Sequence, residues 1–333
     1  MSVTSCSRIV AHQARADGGR FVGGGTARAA RPPREEPAVA PRTLVGKGWL
    51  RTMASVTTAE IVEGLRRLGV ERGMKLMVHS SLRSFGHVDG GAEAVIAALV
   101  DAVGPDGTLM MPSFNHGAPF KAGGANLYDP LETPTVDGKI PDTFWRMPGV
   151  LRSLDPTHAY AVWGADAERY TREHHLTLTM GEDSPLGLLA REGGYQLNLG
   201  TSHHTTTAKH VAEMWRRTPC LGLRTEAYPG RMPDGSVQLL RTWGWRKQSC
   251  PLTESGEYIE AEMERLNMQH KTQIGAATVT LLKLTDCLEA IWGLLDNGHA
   301  GHPPCSQCPI RPRTCEWTVE SDWDEERRRP RNG

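Results

Sequence analysis

Three short stretches of this chain carry residue types that could do chemistry. The first is His79-Ser-Ser-Leu-Arg-Ser-Phe-Gly-His-Val-Asp-Gly-Gly91, a polar and glycine-rich run between an apolar stretch and a helical one. A turn so placed aims backbone N–H groups and a helix N-terminus at its occupant, which suits an anion. Ser80, Ser81, Ser84 and Arg83 add donors, so a phosphate or pyrophosphate would fit. No Gly-Lys-Ser/Thr closes the run, and it lacks the G-x-G-x-x-G pattern, so it is neither a P-loop nor a dinucleotide fingerprint. An ordinary polar crossover loop is the plainer reading of the same residues.

The second stretch runs from Leu199 through Gly-Thr-Ser-His-His-Thr-Thr-Thr to His210-Val-Ala-Glu213. Thr207 is suited to cap a helix, and His210 and Glu213, three apart, share one face of its first turn. A carboxylate within reach of an imidazole fixes its tautomer and raises its basicity, as a general base requires. A surface ion pair is the bland alternative. His203 and His204 are further candidate ligands, and with His210 they would make a zinc hydrolase, although adjacent strand residues face opposite ways. His158, at the start of an apolar run, reads either as a hydrogen-bonded core residue or as a catalyst. No Gly-x-Ser-x-Gly elbow occurs, and Cys220 and Cys250 have no base nearby in sequence, which argues against serine and thiol hydrolases.

The third stretch, Gly301-His-Pro-Pro-Cys305-Ser-Gln-Cys308 to Cys315, has C-x2-C-x6-C spacing with His299 and His302 just upstream. Three thiolates and an imidazole suit tetrahedral zinc, with Cys305, Cys308 and Cys315 as ligands and His299 or His302 as the fourth. Cys287 is an alternative fourth ligand. Uncoordinated or redox-active thiols and an iron–sulfur cluster are the competing readings.

The elements that must position these residues are legible in the pattern. Thr57-x-x-Glu60 has capping-box form, Ile61, Leu65 and Leu68 share a helical face, and Gly69 supplies a stop. Lys75 to Val78 reads as a buried strand, Ala92 to Val103 as a helix, and Thr108 to Met111 as a second strand, which together make a βαβ unit. The expected class is α/β, with a mostly parallel central sheet flanked by helices and an inserted long-loop and antiparallel region. Asn115 to Gly149 reads as a surface excursion. Strands are expected at His158 to Trp163 and Tyr195 to Leu199, a helix from near Thr207, antiparallel strands within Leu221 to Gln248, and a late helix over Asp286 to Leu295.

Composition bounds the remaining possibilities. With 333 residues, 39% of them hydrophobic, the chain can bury a large core. Lys+Arg 38 against Asp+Glu 38 leaves no global field to draw it to nucleic acid or an anionic membrane. No apolar run reaches the ~20 residues that span a bilayer. Residues 1–52 read as a disordered leader, Arg-rich and acid-poor; a cytoplasmic location is expected, with mitochondrial targeting as the alternative. Residues 53–298 are then the catalytic domain, 299–318 a Cys-rich appendage and 319–333 a charged tail. A homodimer is compatible with the sequence.

Six blocks, taken in order, resemble the aminoglycoside 3-N-acetyltransferases. They are Met77 to Gly86 with Gly90-Gly-Ala, Gly107 to Phe114, Thr133-Pro-Thr with Gly138 and Ile140-Pro, Gly149 to Ser153, Gly181 to Pro185, and Leu199-Gly to His210-x-x-Glu213. The resemblance covers roughly residues 57 to 295. It implies an α/β fold distinct from the GNAT acetyltransferases, acetyl-CoA as donor and a small-molecule amine as acceptor, by direct transfer. Carried over, the CoA-binding turn falls on Ser80, Ser81, Leu82, Arg83, Ser84 and Phe85, and the catalytic pair on His210 and Glu213. Glu182, Asp183, Glu226 and His158 are candidates to meet a polycationic acceptor. Two departures stand out: His203-His204-Thr205-Thr206-Thr207 replaces the family's usual His-Asp-Ser-Asn-Thr, and Asp155-Pro156 stands where His-Pro is common. They leave room for a second reading, a non-catalytic CoA- or protein-binding protein on the same fold.

Overall fold

The computed structural model describes residues 55–221, 226–242 and 250–310, so the leader, Cys315 and the charged tail lie outside the described residues. The first helix, α1 (Thr58–Leu68), starts where the capping box predicts. Glu60 N–H donates to Thr57 Oγ1 at 3.3 Å and Thr57 N–H to Glu60 Oε2 at 2.8 Å. Ile61, Leu65 and Leu68 are buried, and Gly69 closes the helix at φ 104°. Then come β1 (Lys75–Ser80), α2 (Gly91–Val103) and β2 (Thr108–Phe114), the expected βαβ unit.

The excursion after β2 carries a 3-10 turn (Ala118–Phe120) and the short α3 (Lys139–Phe144) before β3 (Leu151–Arg152), β4 (His158–Gly164) and α4 (Ala167–Thr171). It is anchored by the half-buried Arg152, whose Nη1 donates to the carbonyls of Thr133 at 2.7 Å and Pro130 at 3.1 Å. Next follow α5 (Pro185–Arg191), β5 (Tyr195–Leu199) and α6 (Ala208–Trp215). The expected antiparallel strands are β6 (Glu226–Arg231) and β7 (Val237–Thr242), which form a separate two-stranded sheet. Beyond them α7 (Gly256–Arg265), β8 (Gln269–Ile274) and β9 (Ala277–Lys283) precede the late helix α8 (Leu284–Asn297). Sequence pattern alone does not divide the 256–283 stretch into elements, because β8 is half exposed and its polar residues carry little hydrophobic signal.

Seven strands make one sheet in the order β3-β4-β2-β1-β5-β9-β8. Its centre is parallel, β2-β1-β5, and antiparallel strands extend it on both sides. Along β1, Leu76 and Val78 face the core under α1 and α2, while Met77 faces the core under α4 to α8. Each face therefore buries its own apolar set, worth ~1.5–3 kcal/mol per large side chain. A one-residue slip of β1 would exchange the two sets and carry His79 away from α6, so the register is strongly specified.

Candidate active site

The topology converges the candidate residues on one edge of the sheet. β1 and β5 are parallel neighbours, and Ser80 pairs with Leu199 at their C-terminal ends. The chain leaves β1 toward the α2 face and β5 toward the α6 face, so a crevice opens between the two turns, as at the switch point of other open α/β sheets. β4 runs antiparallel to β2 with His158 opposite Phe114, which brings His158 to the same edge.

The crevice is a cavity of about 400 Å³ lined by Ser84, Asn198, Gly200, Thr201, Ser202 and His203, among others. Ser84 Oγ lies 2.7 Å from the Gly200 carbonyl and 2.8 Å from Ser81 Oγ, which ties the serine turn to the turn after β5. Gly200 is required at this contact: its φ is +67°, and a Cβ there would sit 2.5 Å from the Ser84 Cβ. Asn198 Nδ2, Thr201 Oγ1 and Ser80 Oγ are buried with no hydrogen-bond partner among the described residues. Such groups cost stability unless something pairs them, which suits a polar ligand in the crevice. Arg83 projects into solvent from the same turn. Leu82 is half-buried, but the Phe85 ring is packed in the core under α2, and only its backbone carbonyl serves the turn, accepting from Ala276 N–H at 3.2 Å.

The second stretch builds a dyad. His210 Nδ1 lies 3.0 Å from Glu213 Oε2, with Glu213 1% and His210 30% exposed. The other carboxylate oxygen, Oε1, accepts from the Thr253 hydroxyl. A carboxylate can only accept here, so the imidazole carries its proton on Nδ1 and turns the lone pair of Nε2 outward. Among the described residues, no hydrogen bond engages Nε2. Thr207 does not cap α6 with its side chain, contrary to the sequence reading: its backbone is already helical, at φ −71° and ψ −24°. Its N–H instead donates to Nε2 of the buried His79 at 3.4 Å, which links β1 to the helix that carries His210. Burial, with the nearby His203 and Lys209 charges, pushes the His79 imidazole down to about 3, so it stays neutral and keeps that acceptor.

The zinc-hydrolase arrangement of His203, His204 and His210 does not form. His203 is buried, with Nε2 held by Gln269 Oε1 at 2.8 Å and Nδ1 by Thr206 Oγ1 at 3.2 Å, while His204 accepts from Gly256 N–H. Thr206, in place of the family's amide residue, thus serves a buried polar network that runs on to Gln196 and Asn198, while His204 stands at the acidic position.

His158 joins the site. Its Nε2 lies 3.2 Å from His116 Nδ1 and its Nδ1 lies 2.7 Å from Thr157 Oγ1. Burial pushes it down to about 4, against the pull of Asp155, with His116 and His210 adding to the depression. Asp155 is buried and holds this corner, accepting from His158 N–H at 2.8 Å, Thr157 N–H at 2.9 Å and Thr179 Oγ1 at 2.7 Å. Of the acidic candidates, Asp183 pairs with Arg191 at 2.7 Å and Glu182 is half-buried, while the Glu226 side chain lies outside the described residues. Glu254 is a further acidic neighbour that the sequence reading misses. It pairs with Lys209 at 2.8 Å; burial works against its charge, but Lys209 and His210 hold it below the ordinary carboxylate value. Neither Thr253 nor Glu254 carries a sequence signal, because they lie about 40 residues from the helix they support.

A family model for aminoglycoside 3-N-acetyltransferase matches residues 77–295. The chain belongs to that family. It is 31% identical over 251 residues to a prophage-derived aminoglycoside N(3')-acetyltransferase-like protein, YokD, of Bacillus subtilis, covering 70% of this chain and 90% of the relative. It is 38% identical to aminoglycoside N(3)-acetyltransferase III of a Salmonella species over 171 residues, 47% of this chain and 60% of that enzyme. Among solved structures, YokD superposes with a TM-score of 0.65 at 29% identity, covering 73% of this chain and 94% of that one. AAC-IIIb, solved as a binary complex with CoASH, gives 0.66 at 25% identity, covering 75% and 100%. Aminoglycoside acetyltransferase AAC(3)-IVa, solved in complex with a gentamicin, gives 0.62 at 28% identity, covering 73% and 90%. Among the described residues, no helix is long and apolar enough to cross a membrane.

Proposed function

We propose that this acyltransferase moves the acetyl group of acetyl-CoA to an amine of an aminoglycoside or a related aminosugar, with His210 as general base. The supporting observation is the dyad: a buried carboxylate holds Nδ1–H of His210 and leaves Nε2 turned outward. An aliphatic ammonium near pH 7 must lose a proton before its nitrogen can attack a thioester. With that first proton released to solvent, Nε2 takes a second N–H proton as the neutral amine nitrogen forms its bond to the acetyl carbonyl carbon. Glu213 stabilises the resulting imidazolium, and Thr253 keeps the carboxylate oriented.

Backbone N–H groups and hydroxyls of the serine turn would face the oxyanion. Collapse of the tetrahedral adduct breaks the carbon–sulfur bond, and the imidazolium returns its proton to the leaving thiolate. Ser80, Ser81, Leu82, Arg83 and Ser84 are assigned to CoA, on the strength of the unpartnered polar atoms along the crevice and the relative solved with CoASH. His158, Glu182, Asp183 and Glu226 are assigned to the acceptor side, with Glu254 added to them for its position near His210. A cytoplasmic enzyme acting on polycationic antibiotics is the physiological reading.

The test is His210→Ala, assayed by release of CoA thiol against 2-deoxystreptamine aminoglycosides, simple aminosugars and polyamines. Turnover should fall by about 100-fold or more, the range for a lost general base, while acetyl-CoA binding persists. Undiminished turnover in the variant would remove His210 from the mechanism.

A further inference from the structure

Of the five cysteines among the described residues, four line a single cavity. Cys287 is buried elsewhere, in α8, whereas Cys220, Cys250, Cys305 and Cys308 meet with His302 around a space of about 230 Å³. They come from three separate segments: the turn after α6, the residue that opens the 250–254 turn, and the C-terminal stretch. The Cys305 and Cys220 thiols are hydrogen-bonded to each other, and Cys250 and Cys308 lie within electrostatic range of Cys305. Cys305 and Cys308 sit on a single 3-10 turn, with Cys308 N–H donating to the Cys305 carbonyl at 3.3 Å, and prolines stand on either side at Pro303, Pro304 and Pro309. That stiff C-x2-C knuckle presents two sulfurs toward the two behind it.

We propose that Cys220, Cys250, Cys305 and Cys308 form a four-thiolate site for a zinc-type divalent cation, fastening the C-terminal stretch and the 250–254 turn to the end of α6. This ligand set differs from the one the spacing of the C-terminal cysteines suggested. Cys305 and Cys308 are common to both, but Cys220 and Cys250 supply the other half, and Cys315 lies outside the described residues. Among the described residues no three potential ligands already stand at metal-holding separation. The four cysteines line the cavity wall, and metal binding would have to draw their sulfurs in to the ~2.3 Å bonds of a zinc–thiolate site. A soft, four-sulfur, non-redox cradle favours zinc over oxygen-seeking cations.

The location gives the site a purpose. Thr218, two residues before Cys220, donates its N–H to the Glu213 carbonyl at 3.1 Å. The Cys250 carbonyl accepts from Glu254 N–H at 3.0 Å and so closes the turn that carries Thr253, whose hydroxyl orients the Glu213 carboxylate. The clasp thus holds both supports of the residue that orients His210. The four cysteines are positioning residues, outside the reacting groups.

The experiment uses the full chain, purified under reducing conditions without chelator after zinc-supplemented expression. Elemental analysis should find one zinc per chain. Chelator-stripped protein titrated with Co²⁺ should give a thiolate charge-transfer band of four-sulfur intensity, saturating at one equivalent. Cys250→Ser and Cys308→Ser should lose the metal, and Cys287→Ser and Cys315→Ser should retain it. Stripping should lower kcat while leaving KM for acetyl-CoA unchanged. Metal-free protein with four reactive thiols, a Cys220–Cys305 disulfide that persists under reductant, or loss of metal in Cys315→Ser would each overturn the proposal. The Co²⁺ titration of the unmutated chain decides the matter even if a cysteine variant fails to fold.

Discussion

Replacing Glu213 by Gln isolates the charge of the dyad from its shape. The carboxylate is 1% exposed, with one oxygen 3.0 Å from His210 Nδ1 and the other bonded to Thr253. Gln fills the same space but cannot accept through both ends. If its oxygen faces His210, the tautomer survives and only the counter-charge for the imidazolium is lost. If its amide nitrogen faces His210, Nδ1 must accept, and the proton moves to Nε2, where it blocks the base. A hydrogen bond to a charged group is worth ~1.5–3 kcal/mol. At ~1.4 kcal/mol per factor of ten, the first orientation lowers kcat by about 10- to 150-fold, and the second by more. The interaction develops in the transition state, so kcat should fall while KM for acetyl-CoA holds. Thr253→Val should give a smaller loss in the same parameter, and Thr253→Ser should restore it. The assay is release of CoA thiol under saturating acceptor. A Glu213→Gln enzyme with unchanged kcat, or one that loses acetyl-CoA binding in parallel with turnover, would refute the reasoning.

Three further outcomes follow from the packing. His79 is pushed down to about 3 by burial and its neighbours, so the folded state resists a proton that the unfolded chain accepts near 6.5. Stability from this residue is complete above about pH 6.5 and is lost as pH falls toward about 3, by at most ~1.4 kcal/mol per pH unit; urea midpoints measured across that window should show a shallower slope in His79→Gln. Gly200→Ala places a Cβ at φ +67° and 2.5 Å from the Ser84 Cβ. It should cost ~1 kcal/mol or more and raise KM for acetyl-CoA, read by thermal melting and kinetics. Phe85→Ala empties a core position and should destabilise by ~3–5 kcal/mol in denaturant unfolding, far more than Ser84→Ala.

The local chemistry of this chain was legible in its sequence. The Thr57 capping box, the β1-α2-β2 unit, the His-x-x-Glu pair at helical spacing and the glycine-rich serine turn all depend on neighbours within a few residues. Such signals survive in one dimension, because side-chain direction repeats with a period of 3.6 or 2. The antiparallel extension of the sheet through β8 was not legible, since a half-exposed strand with a polar face leaves a weak pattern.

Only the tertiary structure decided which distant residues complete each site. Glu213 is oriented by Thr253 from 40 residues away, the helix that carries His210 is met by His79 from β1, and Cys220 and Cys250 join a C-x2-C knuckle more than 50 residues downstream. The physical reason is that these contacts are set by the order of strands in the sheet and by the faces to which their turns depart. Residue spacing alone carries no record of either.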